Sequence, residues 1–219
     1  VLADGRVIRT GTRARKSSAG LDLTALMIGA EGTLGIITEL TLKLNGIPEA
    51  TSAASCAFDS IEGAVATVVD TIQMGLPVAR MELVDPGYIA AINARHDLGL
   101  PDRPHLFLEF NGSEAGVREQ AEMVAALAVE HGGAAFSWTT RVEDRNQLWI
   151  ARHNAYASLN AMYPGRRALV TDMCVPISHL ADMVQTARAD IAQTDLPAGI
   201  IGHVGDGNFH AQLMLREGN

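Results

Sequence analysis

Apolar and polar positions alternate with a period of two in several short stretches of this chain and with a period near that of a helix in others, and the two rhythms take turns along most of its length. An early strand rhythm sets Ile36, Thr38, Leu40, Leu42 and Leu44 on one face against Ile37, Glu39, Thr41 and Lys43 on the other. Val1 to Ile8 reads as two apolar strand pieces around Asp4-Gly5, a dipeptide that favours hairpin turns, so the chain is expected to open inside a sheet. Further strands are expected over 52–58, 78–84, 105–110, 134–138, 169–175, 200–204 and 209–215. Helices are expected over 61–74, 113–130, 143–162 and 178–193. The first follows Asp59-Ser60 as N-cap material and ends at Gly75; the second carries Val117, Ala121, Val124, Leu127 and Ala128 at helical spacing and stops at Gly132-Gly133.

Asn45-Gly-Ile-Pro48 is turn chemistry, and after it the composition shifts to strands alternating with Ala-rich helices. A boundary near residue 48 divides the chain into domains 1–48 and 49–219. The expected fold class is α+β: an antiparallel sheet flanked by helices, placed on one side of it.

The chain has 219 residues, with 17 Lys+Arg against 25 Asp+Glu, and this acidic balance argues against a nucleic-acid partner. At 47% hydrophobic and 19% charged residues, it has ample material for a core. No stretch approaches the roughly 18 uninterrupted apolar residues of a membrane-spanning helix. Cys56 and Cys174 stand in no metal or redox spacing and are expected to be reduced, buried thiols. The first residue is Val1, and the strand rhythm near the other end stops at Asn219 with no cap after it, so the chain reads as a fragment whose targeting segments would lie outside it.

The sharpest chemical pattern is Gly202-His-Val-Gly-Asp-Gly-Asn-Phe-His210. If Asp206-Gly207 forms a two-residue hairpin turn, 205 pairs with 208, 204 with 209, and His203 with His210. Directly opposed Cβ atoms lie roughly 4.5–5.5 Å apart, and imidazoles at that separation can converge on one divalent ion at roughly 2.0–2.1 Å per bond. The same spacing fits a tight hairpin with two surface or packed histidines. A catalytic metal site needs a third ligand as well, and Glu217 is the sole acidic candidate in the tail after His210.

Gly29-Ala-Glu-Gly-Thr-Leu-Gly35 lacks the Lys and Ser/Thr of a P-loop and the spacing of the dinucleotide fingerprint, which leaves a ligand-approaching loop or a structural turn. Arg152 sits four residues after Leu148 on an expected helix and would share its apolar face. An inward arginine needs an anion, a ligand carboxylate being the natural partner; the alternatives are a pair with Glu143 or Asp144, or simple solvent exposure. Arg166-Arg167, after Pro164-Gly165, reads as a solvated loop.

Ser18-Ala-Gly-Leu-Asp-Leu-Thr and Ile28-Gly-Ala-Glu-Gly-Thr-Leu-Gly-Ile-Ile-Thr38 resemble the end of the FAD-binding domain of the vanillyl-alcohol oxidase (PCMH-type) flavoproteins. Arg152-His-Asn-Ala, Thr171-Asp-Met-Cys-Val-Pro-Ile-Ser178 and the 202–210 pattern resemble the cap domain of their D-2-hydroxy-acid branch, closest in wording to the cytochrome-linked D-lactate dehydrogenases and similar to the glycolate oxidase D-subunit family. The D-2-hydroxyglutarate enzymes usually carry a basic residue just before the Asp; here the neighbourhood is Val170-Thr171.

The resemblance implies that 29–38 lies along FAD, through Gly29, Glu31, Gly32, Gly35, Ile36 and Ile37, with Ser17 and Ser18 nearby. It implies that His203 and His210 hold a divalent zinc or manganese ion, that Asn208 lies beside flavin and substrate, and that Arg152 clamps a substrate carboxylate. The implied reaction is oxidation of a small 2-hydroxy acid, D-lactate favoured: the metal lowers the pKa of the 2-hydroxyl and flavin N5 takes hydride from C2. Electrons would pass to a cytochrome or quinone acceptor, in the cytoplasm or at the periphery of a respiratory membrane, with a homodimer as one admissible assembly. The family's pyrophosphate cradle should precede Val1, and the Glu-His pair bearing the third ligand and general base should follow Asn219. Residues 1–219 alone are therefore expected neither to retain FAD tightly nor to turn over substrate. The alternatives are glycolate or D-2-hydroxyglutarate oxidation by the same family and a non-catalytic metal- or ligand-binding module. A metallohydrolase is disfavoured, because no Glu stands beside the histidines as in a His-Glu-x-x-His helix.

Overall fold

Two compact units, Val1–Ile47 and Pro48–Asn219, make up the computed structural model, which describes residues 1–216.

In the first unit, Asp22 caps a short helix, α1 (Leu23–Ile28), by accepting from the Ala25 N–H. The expected strands do not form. Ala3–Gly5 is a turn, closed by Leu2 N–H donating to the Arg6 carbonyl, but the flanking residues make no ladder. Residues 36–44 are likewise outside any strand, and Leu42 and Leu44 are 72% and 85% exposed. Alternation prepares a strand, but a ladder partner has to satisfy its peptide groups. Among the described residues the pairing here is one residue long, with Val1 and Ile36 exchanging two backbone hydrogen bonds.

The second unit is built on an antiparallel sheet in the order β4-β1-β3-β2-β7-β8-β5, with β6 also on β8. Its strands are β1 (Ala50–Phe58), β2 (Val78–Val84), β3 (His105–Gly112), β4 (Gly133–Thr139), β5 (Arg166–Val170), β6 (Met173–Cys174), β7 (Ala198–Gly202) and β8 (Asn208–Arg216). Arg166 and Arg167 belong to β5 rather than to a loop; Arg166 donates to the Met214 carbonyl and lies over the Tyr163 ring. The expected strand over 169–175 is interrupted at Thr171-Asp172, yet β5 and β6 meet β8 in one register (Arg166 with Arg216, Met173 with Phe209).

Helices cover both faces of the sheet, not one. Alternate strand residues divide between two cores, as a period of two requires. Met81, Leu83, Leu106, Leu108, Phe209 and Ala211 pack toward α2 (Ile61–Gln73), α4 (Glu114–Glu130) and α7 (Leu180–Ala192). Val84, Phe107, Ile201 and Met214 pack toward α3 (Pro86–His96), α5 (Val142–His153) and α6 (Ala155–Met162). Helix α3, outside the sequence expectation, starts on a buried Asp85 cap followed by proline at the first helical position. The single helix expected over 143–162 breaks at Asn154, whose side-chain amide donates back to the Ile150 carbonyl.

Both cysteines are free; Cys56 is buried, and Cys174 is exposed, contrary to expectation.

Candidate active site

The second face of the sheet is where polar side chains gather. Leu83 pairs with Gly202 and Val84 with Ile201, so continuing the register sets Glu82 opposite His203. Ile201 pairs with His210, and the His203 carbonyl accepts from Asn208 N–H. His203 and His210 therefore share a face as diagonal neighbours, not as the directly opposed pair that a two-residue turn predicts. The cause is the connection. Val204–Asp206 forms a 3₁₀ turn with Val204 buried, and Gly207 closes it with φ of 74°, so four residues rather than two separate the facing His203 and Asn208.

Gly207 cannot be replaced freely, since a Cβ there would stand 2.2 Å from the Val175 carbonyl oxygen. That tight packing lets Val175 N–H donate to the Gly207 carbonyl and fixes the start of β8.

Each histidine has its Nδ1 occupied. His203 Nδ1–H donates to Glu82 Oε1 at 2.6 Å, and His210 Nδ1–H donates to the Thr171 carbonyl at 3.1 Å, with Asp172 Oδ1 3.4 Å away. A proton on Nδ1 leaves the lone pair on Nε2 in both rings, an arrangement that suits metal ligation through Nε2. His203 is 56% exposed and borders an open cleft of about 330 Å³, shared with Arg80, Gly205 and Asp206. Among the described residues no cluster of three or more His, Cys, Asp or Glu could hold a metal, and Glu217 lies outside the described residues.

Arg152 comes from the helix layer, where Trp149 and Ala151 anchor α5 in the core. Its Nη2–H donates to Glu82 Oε2 at 2.7 Å, with Arg152 13% and Glu82 7% exposed. The anion is thus neither Glu143 nor Asp144. Nη1 donates to no group among the described residues, and Nε is buried without a partner. Asn208, at the first position of β8, donates from Nδ2 to Asp172 Oδ1 at 2.8 Å and to the Met173 carbonyl at 3.2 Å, and its amide oxygen accepts from no group among the described residues.

Behind these groups lies a buried polar chain. Tyr88 donates its hydroxyl to Gln212 Oε1, and Gln212 Nε2 donates to Asn160 Oδ1 at 3.1 Å. Burial, and then the Asp85 carboxylate, push the Tyr88 hydroxyl far above its ordinary pKa, so it stays a neutral donor. Burial raises Asp85 to about 6 against the hydrogen bonds it accepts at the start of α3.

The other candidate residues lie in the first unit. Ser17 Oγ accepts from Ala19 N–H and is exposed, as is Ser18. Gly29 to Ile37 forms the turn after α1, with left-handed backbone at Glu31 (φ 49°) and Gly32 (φ 81°). Among the described residues the N–H groups of Glu31, Gly32, Leu34 and Gly35 donate to no protein acceptor, which leaves a row of backbone donors open to a ligand.

The sequence marks Met81 to Asp85 and Thr171 to Ser178 as family-like stretches but assigns no role to Glu82 or Asp172, and it does not single out Tyr88 or Gln212. Glu82 left one trace, an acid inside the otherwise apolar run Met81-Glu-Leu-Val84 of a buried strand.

This is the fold of a flavoprotein cap domain. The chain belongs to the family of FAD-linked oxidases, C-terminal domain, whose model matches residues 47–219. It is 44% identical over 98% of its length to a probable mitochondrial D-lactate dehydrogenase of Danio rerio, covering 44% of that protein. It is 42% identical over 98% of its length to a mitochondrial D-lactate dehydrogenase [cytochrome] of Arabidopsis thaliana (38% of that protein), and 33% identical over 96% to the glycolate oxidase subunit GlcD of Bacillus subtilis (45% of that protein). The chain therefore spans less than half the length of these relatives. Among solved structures, p-cresol methylhydroxylase with substrate bound shares the fold at a TM-score of 0.67 and 16% identity, over 99% of this chain and 50% of that one.

Proposed function

We propose that this chain carries the cap-domain half of the active site of an FAD-dependent D-2-hydroxy-acid dehydrogenase, with D-lactate as the favoured substrate. The observation that carries the reading is the pair of Nδ1-donating histidines on one sheet face with a buried arginine beside them. His203 and His210 would hold a divalent zinc or manganese ion through Nε2, and the donor set fits such an ion: two neutral imidazoles with oriented rings. The third ligand would come from outside the described residues. Arg152 Nη1 would meet the substrate carboxylate while Glu82 holds Nη2, which orients the acid. Asn208, tied at its amide nitrogen to Asp172, would present its amide oxygen to the substrate or flavin. In the first unit, Gly29, Glu31, Gly32, Gly35, Ile36 and Ile37, with Ser17 and Ser18 nearby, would contact FAD through the open backbone donors, as part of an FAD-binding domain completed by other sequence.

When bound, the metal supplies Lewis-acid polarisation of the 2-hydroxyl and the flavin accepts the hydride equivalent. The protein's own contribution is to hold the carboxylate, fix the imidazole orientation and keep the arginine's charge compensated. Electrons would pass to a cytochrome or quinone. No described helix is long and apolar enough to cross a membrane, and attachment at the periphery of a respiratory membrane is the proposed location.

A second reading, glycolate oxidation, is favoured by the similarity to GlcD subunits. The test is to screen the full-length protein against D-lactate, glycolate and D-2-hydroxyglutarate, reading anaerobic bleaching of the flavin with and without chelator. Fast bleaching by D-lactate that is lost on chelation supports the proposal. Bleaching by none of the three acids sinks it.

A further inference from the structure

We infer that Glu82 is the positioning residue that ties the arginine to the metal-facing histidine, an inference that rests on the reading of Arg152 and His203 proposed above. Glu82 sits on β2, Arg152 on α5 and His203 at the end of β7, and one carboxylate joins the three elements. Its two oxygens are used once each: Oε2 accepts from Arg152 Nη2 at 2.7 Å and Oε1 from His203 Nδ1 at 2.6 Å. Both partners are donors, and an ionised carboxylate offers two acceptor oxygens and no hydrogen to oppose them. The same group therefore does two things. It imposes the Nδ1–H tautomer on His203, which leaves the Nε2 lone pair available, and it holds the guanidinium at Nη2 while offsetting its buried charge. His210 gets its orientation from the Thr171 peptide carbonyl, which no side-chain change removes. In His203 that role falls to a single replaceable side chain.

The test uses the full-length protein. Glu82→Gln keeps the shape but faces the two donors with one oxygen and one NH₂ group, so either His203 reverses its tautomer and puts a hydrogen on Nε2, or Arg152 loses its acceptor. The expected results are a fall of about 10–100-fold in Mn²⁺ affinity of the metal-free protein, a shift of His203 from Nδ1–H to Nε2–H in nitrogen-15 correlation spectra, and a KM for D-lactate that rises more than kcat falls. Glu82→Asp, which retains both oxygens, is expected to keep the Nδ1–H tautomer and recover part of the affinity. Wild-type Mn²⁺ affinity, an unchanged His203 tautomer and an unchanged KM for D-lactate in Glu82→Gln would together overturn the role of Glu82. His203→Ala and His210→Ala separate the two levels: if they lose Mn²⁺ while Glu82→Gln keeps it, Glu82 alone is misassigned; if they bind Mn²⁺ normally, the metal reading falls and Glu82 with it. Should Glu82→Gln not fold, the wild-type protein decides, because an Nε2–H tautomer of metal-free His203 contradicts the proposal directly.

Discussion

Arg152 and Glu82 stand 70 residues apart in sequence and meet at 2.7 Å in the interior of the second helix layer. A buried ion pair is weak evidence of stability in itself, but removing one partner strands the other charge in a poorly solvating environment. Arg152→Met is expected to destabilise by about 3–5 kcal/mol, and the double variant Arg152→Met/Glu82→Leu by less than either Arg152→Met or Glu82→Leu alone. Urea unfolding of the four proteins in this cycle checks the pair. Additive single effects would show that the two groups are not energetically coupled.

The hydrogen bond from Tyr88 to Gln212 makes a second quantitative case. Gln212 is fully buried, so Tyr88→Phe leaves its carbonyl oxygen without a donor. The expected cost is about 1–3 kcal/mol. Adding Gln212→Leu should return part of it, because the stranded carbonyl oxygen goes with the side chain, while the half-buried Asn160 Oδ1 loses its Gln212 donor in exchange. Thermal unfolding of both variants provides the measurement.

Gly207→Ala places a side chain on a left-handed backbone and drives its Cβ into the Val175 carbonyl. We expect a loss of at least about 1–3 kcal/mol. Because the same turn sets His203 relative to Asn208, Mn²⁺ affinity should fall as well. A variant with reduced stability and unchanged affinity would show that the turn supports the fold without setting the site.

Asp85 predicts a pH dependence. Its folded pKa of about 6 lies above the ordinary 3.8, so the fold prefers the protonated acid. That preference is fully expressed below pH 3.8 and is lost as the pH rises through about 6, where the buried carboxylate ionises. Asp85→Asn keeps an equally good helix cap without the charge. The variant should gain stability over wild type between pH 4 and 7, reaching on the order of 3 kcal/mol at the upper end. A stability difference that stays flat across that range would contradict the raised pKa.

Much of the second unit was legible before its structure. Ser60 caps α2 and Gly75 follows its end, and β2 spans the residues that its alternation marks, because caps and periodicity act locally. Helix α3 was missed although Asp85-Pro86 is a helix start, since its Ala-rich pattern is faint. The alternation of residues 36–44 was real and still produced no strand, for want of a partner. At the site, His203, His210, Arg152 and Asn208 were visible as residues. Their arrangement was not: the 3₁₀ turn shifts the histidines from opposed to diagonal, and Glu82 acquires meaning only when β2 pairs with β7, 121 residues from His203.

The division of each strand between two helix layers has a consequence for how this domain can change over time. On β2 and β8, Met81, Leu83, Phe209 and Ala211 answer to one layer while Glu82 and His210 answer to the other. Saturation mutagenesis of these stretches would yield interleaved phenotypes, with abundance tracking the odd positions, turnover at constant abundance tracking 210, and both falling at 82, where a change strands the Arg152 charge. Selection can thus retune reactivity on one side of the same peptide segment while its neighbours go on holding the scaffold.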